Sequence, residues 1–133
     1  MKLGLIVIAI SFACSISAGS PPKHGKLNLA WVIKPWVEKN GNPHSRLSLA
    51  VNGKAYLISP DLQEKMSVLG REVYEPSEVP KDALIACSGW FAGAGDKFYV
   101  VRRAGSLRVY QQMGDCSPDS GEQPWRRVKT IRI

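Results

Sequence analysis

Apolar residues recur at every second position through much of the chain, the mark of strands with one buried face. Leu27, Leu29, Trp31 and Ile33 open the series, and Pro35 should end that strand or confine it to a sheet edge. Glu38 to Pro43 is a cluster of turn formers. Leu47, Leu49 and Val51 lead into Asn52-Gly53, and Ala55 to Ile58 follow. Asn-Gly between two apolar runs suits a type I′ turn, whose central residues both need positive φ, so a hairpin is predicted over 46–58. Further strands are predicted over 83–91, 98–103, 107–113 and 125–133, the first three joined by glycine-bearing connections at 92–96 and 104–106. One segment breaks the period. Ser59-Pro60-Asp61 reads as a helix start, with Leu62, Met66 and Leu69 on one helical face and Gly70 as a C-cap, which predicts a short helix near 60–69. Arg71 to Asp82 and Ser117 to Pro124 read as surface loops. The expected fold is mainly β, a small antiparallel β-sandwich or barrel of six or seven strands with one short helix.

Composition narrows the setting. A chain of 133 residues is one domain at most, and its 12 glycines and 9 prolines favour turns over long helices. Met1-Lys2, the apolar run Leu3 to Ala13 and the small residues Ser15 to Gly19 have the layout of a secretory signal peptide, with cleavage expected after Ala18. The run turns polar too early for a membrane span, and the residues before Cys14 do not suit a lipid anchor. The expected organisation is thus a signal peptide over 1–18 and one β-rich domain over 19–133, periplasmic or secreted. Removal of the leader takes one lysine and leaves a net charge of +6, with Cys87 and Cys116 remaining. In an oxidising compartment an even pair reads most simply as one disulfide, contributing about 3–4 kcal/mol on the chain-entropy model.

Candidate chemistry is sparse. Ser88 in Cys87-Ser88-Gly89 is not in a Gly-x-Ser-x-Gly elbow, and His24 and His44 have no close partner in sequence. Gly89 to Asp96 lacks the Gly-Lys-Ser/Thr and the following helix of a phosphate loop. No zinc spacing is present, so neither a catalytic set, a metal nor a cofactor is expected. Two surface features stand out. Trp90 and Phe91 alternate faces ahead of a glycine-rich turn, so one of them should be free to anchor a partner. Residues 102–133 carry Arg102, Arg103, Arg108, Arg126 and Arg127, a basic stripe suited to polyanions. Aromatic interleaving is too thin there for a nucleic-acid platform.

The expectation is therefore a non-enzymatic exported binding module, with a protein or polyanionic envelope component as partner. Ser88-Gly89 in a small exported β domain is also similar to periplasmic lysozyme inhibitors, which insert a Ser-Gly loop followed shortly by a tyrosine into the enzyme's cleft. Here Trp90-Phe91-Ala92 follows instead. A small hydrolase using Ser88 or His44 is the competing class.

Overall fold

The computed structural model describes residues 26–70, 79–115 and 123–133. Within them eight strands form two antiparallel sheets, and no helix is present. The first sheet holds β1 (Leu29–Val37), β2 (Pro43–Val51) and β3 (Lys54–Leu62) in that order. The second holds β4 (Met66–Leu69), β5 (Ile85–Phe91), β6 (Ala94–Arg103), β7 (Ser106–Asp115) and β8 (Arg126–Arg132). Each strand pairs with its neighbour in sequence, so both sheets are meanders.

Turn chemistry explains much of this register. Asn52 and Gly53 have φ of 50° and 88°, the expected type I′ conformation. Asn52 also braces the chain entering β1, its Oδ1 accepting from the Asn28 amide at 2.9 Å. Ala92 and Gly93 adopt φ of 55° and 85°, so the β5–β6 hairpin closes on two residues and β6 starts at Ala94, ahead of the expected strand. Pro35 lies in β1 and Pro60 in β3, the two edges of the first sheet, where a missing N–H leaves no neighbour unpaired.

The helix expected near 60–69 is not formed. Ser59 pairs opposite Leu47 and Leu62 opposite Ser45, so this stretch continues β3, and Met66–Leu69 becomes β4 against β5. Helical spacing of Leu62, Met66 and Leu69 reflects burial at two separate places. Leu62 and Met66 enter the layer between the sheets, whereas Leu69 packs on the far face of the second sheet. Open strand edges on β2 and β5 supply backbone partners that a three-turn helix would have had to find within itself.

Two apolar layers result. Trp31, Leu47, Leu49, Val51 and Leu62 of the first sheet share one cluster with Met66, Cys87, Phe98, Val100, Leu107, Val109 and Ile131 of the second. The outer face of the second sheet carries another, built on Ala86, Tyr99 and Val101 and covered by Val79, Ala83 and Trp125. Val79 and Ala83 are buried at the end of the expected surface loop, whose residues 71–78 lie outside the described ones, as do the expected leader and most of the 117–124 loop.

The expected Cys87–Cys116 disulfide is not seen. Cys87 is a free, fully buried thiol in the layer between the sheets. Cys116 lies outside the described residues, but the register places Asp115 before it. Cys87 stands opposite Phe98 and Phe98 opposite Gln111, so Asp115 is two strands across and four residues along, roughly 16 Å from Cys87. Cys87 is thus unpaired in this fold, and the expected partner falls outside the described residues.

Candidate binding cleft

At one end of the molecule the sheets diverge around a cleft of about 1000 Å³ lined from both of them. The β1–β2 turn and the end of β3 bring Glu38, His44 and Asp61 to one wall. His44 is buried, stacked on the Trp36 indole with ring centroids 4.0 Å apart, and held between two carboxylates. Its Nε2 meets Glu38 Oε2, and its Nδ1 lies 2.7 Å from Asp61 Oδ1. These two hydrogen bonds, Glu38 first, raise the imidazole above its ordinary pKa despite burial, which favours the doubly protonated ring.

The floor is an acid pair. Glu64, in the β3–β4 connection, is only 3% exposed, and its Oε1 meets no donor. Its Cγ lies where a side chain at Gly89 would be, only 2.6 Å from the position of a Cβ there, so the glycine makes room for the acid. Asp96 on β6 is directly opposite Gly89, and its Oδ1 accepts from Gln111 Nε2 at 2.7 Å. Burial, and then the hydrogen bond and negative charge of Asp96, push the Glu64 carboxyl up to about 8. This favours the protonated form of Glu64 beside the Asp96 carboxylate. Ser45 fixes the connection from below: its Oγ donates to the Glu64 carbonyl at 2.7 Å and accepts from the Met66 amide at 3.1 Å.

Trp90 and Phe91 sit at the end of β5 and point to opposite faces. Phe91 lines the cleft, whereas Trp90 borders a separate groove of about 290 Å³ on the outer face. Both are open to solvent, at 54% for Trp90 and 39% for Phe91. Trp90 lies over Gly95, where an added Cβ would come 2.5 Å from the indole. Ser88 and Gly89 are interior residues of β5, paired with Ser67 and Met66 on one side and with Lys97 and Asp96 on the other. They are on no protruding loop, so the insertion implied by the likeness to lysozyme inhibitors is not the geometry of this pair.

The five arginines do not form one patch. Arg102 stands opposite Leu107 at the rim of the layer between the sheets, while Arg103, Arg108 and Arg127 pair with residues on the outer face. Arg103 is engaged with Asp82, Nη1 to Oδ2 at 2.8 Å. Arg126 is opposite Gln111, roughly 15 Å along β8 from the level of Arg102, and lines the cleft.

Glu38, Asp61, Glu64, Asp96 and Gln111 were not singled out from the sequence. Glu38 and Asp61 lie six and seventeen residues from His44 and reach it only through strand pairing. Asp96 read as a loop residue because Gly93 to Gly95 hid the start of β6. Among the described residues no group of three or more His, Cys, Asp or Glu could hold a metal ion. No helix there is long and apolar enough to cross a membrane. In comparisons with known proteins, no family model, curated protein or solved structure matches the chain.

Proposed function

We propose that this chain is an exported, non-enzymatic binding module of the periplasm or extracellular space, and that it seats a protein partner at the cleft end of the molecule. One observation carries the reading: two exposed aromatic rings stand on opposite faces of one hairpin end, each beside a recess. Exposed aromatics flanked by concave polar surface are typical anchors of protein interfaces. Met113, also exposed, adds to the apolar rim of the cleft beside Phe91. The leader layout of residues 1–18 supports export. The state of His44 supports a role other than nucleophilic catalysis, since both ring nitrogens are engaged by carboxylates and neither is free to activate Ser88.

The test is capture of cross-linked partners from envelope extract by the parent chain and by variants. Trp90→Ala and Phe91→Ala should each reduce capture at least tenfold, while Arg108→Ser with Arg127→Ser should leave it unchanged. Loss in the arginine variant alone, with heparin affinity falling by about 3 to 4 log units per decade of salt, would move the reading to a polyanion. Hydrolysis of an ester, glycoside or peptide that disappears in His44→Ala would overturn it in favour of an enzyme.

A further inference from the structure

Resting on that reading, we infer that the cleft is a cation site in which Glu64 and Asp96 together take up the ammonium or guanidinium of a basic side chain on the partner. A buried carboxyl without a donor is costly unless something positive or a proton meets it. Glu64 is 97% shielded, its Oε1 has no donor, and it faces the cleft beside a second acid. A hydrophobic side chain at this position would have packed on Gly89 and Met66 without that penalty. Holding an acid there is useful only if the acid meets something.

The groups around the pair set the sign of what it meets. From β3, Asp61 faces the cleft but is engaged with His44, and from β7 Asp115 lines the opposite side. His44 on β2 is positive but is already compensated by Glu38 and Asp61. Arg126 on β8, opposite Gln111, also lines the cleft but is exposed to solvent, and Lys65 lies in the neighbouring groove. The cleft walls therefore carry more acids than bases, although the whole chain has a net charge of +7. Phe91 and Met113 at the rim suit the methylene stem of a lysine or arginine, whose charged head would reach inward. A metal ion is a poorer fit, since only two carboxyls converge.

The exchange balances. The Glu64 O–H bond breaks, its proton leaves to buffer, and the bound cation makes charge-assisted hydrogen bonds to two carboxylates. Because Glu64 holds its proton up to about pH 8, binding at lower pH must release it.

The experiment is isothermal titration of the full chain with acetyl-Arg-Arg-Arg-amide, with acetyl-Glu-Glu-Glu-amide as control. Titrations run at pH 6, 7 and 8, in two buffers of different ionisation heat. The expected result is binding of the basic peptide only, tightening at least tenfold from pH 6 to pH 8, with about one proton released per peptide at pH 6. Glu64→Gln keeps the shape of the protonated acid and should fold normally. It should abolish both proton release and pH dependence, and weaken binding at pH 8 at least tenfold. Asp96→Asn should weaken binding similarly. Binding without proton release, equal binding by Glu64→Gln, or no binding of the basic peptide would each overturn the inference. Partner capture that still depends on Trp90 and Phe91 in such a case would leave the binding-module reading standing; loss of both would end both.

Discussion

At the scale of single residues, the polar groups that matter are those buried where the two sheets part. Ser45 is fully buried and joins β2 to the β3–β4 connection through two hydrogen bonds. Ser45→Ala strands the Met66 amide and the Glu64 carbonyl together, so urea unfolding should show a loss of about 1–3 kcal/mol. Glu64 makes a prediction of the opposite kind. Its pKa is about 8 in the fold against 4.5 in the open chain, so the folded state holds the extra proton between those values. A raised pKa contributes stability that is complete below the unfolded value and disappears as pH climbs through the folded one. Stability should therefore fall between pH 5 and 8. The slope should stay below the one-proton limit of roughly 1.4 kcal/mol per pH unit. His44, also raised, contributes in the same direction above the ordinary imidazole range. Comparison with Glu64→Gln isolates the acid: the variant should melt like the parent at pH 5 and higher than the parent at pH 8. A parallel pair of melting curves at both pH values would refute the shared proton.

At the scale of elements, local chemistry was readable and contact across distance was not. Asn52-Gly53 specifies its turn through backbone conformation alone, and the turn forms where expected. Pro35 carries its own edge preference, and β1 is an edge. The misread helix shows the limit, since Ser59-Pro60-Asp61 satisfies every local rule for an N-terminus. What decides its state is the free edge of β2, contributed from fourteen or so residues upstream. The acid pair was invisible for the same reason, because Glu64 and Asp96 meet only when β4, β5 and β6 align. The glycines at 89 and 95 are the legible trace of that meeting. They are neither in the turn nor at positive φ; Gly89 is bare where the Glu64 and Met66 side chains lie across it, and Gly95 where the Gly89 carbonyl and the Trp90 indole come close. Gly95→Ala should displace the Trp90 indole, seen as a shift in its fluorescence, and cost about 1–3 kcal/mol as overpacking does. Unchanged fluorescence and stability would mean that Trp90 does not rest on Gly95.

At the scale of the whole molecule, Cys87 reports on how the two sheets hold together. Its thiol sits in the shared apolar layer among residues of both sheets, and burial pushes its pKa up far beyond neutral. Alkylation needs the thiolate and access, and the native fold denies both. The sheets bury one another's faces, so opening either should expose the layer as a unit, as expected of a single domain of this size. Purified protein in native buffer without reductant should therefore leave Cys87 unlabelled by iodoacetamide for hours. Labelling should then rise along the same urea curve that circular dichroism follows, and peptide mass mapping after full denaturation should find Cys87 carbamidomethylated without prior reduction. Unlabelled Cys87 in denaturant, recovered only after dithiothreitol, would mean that it is held in a disulfide. Labelling that precedes the loss of β signal would mean that the sheets part before they unfold, leaving the cleft between them free to widen around a partner.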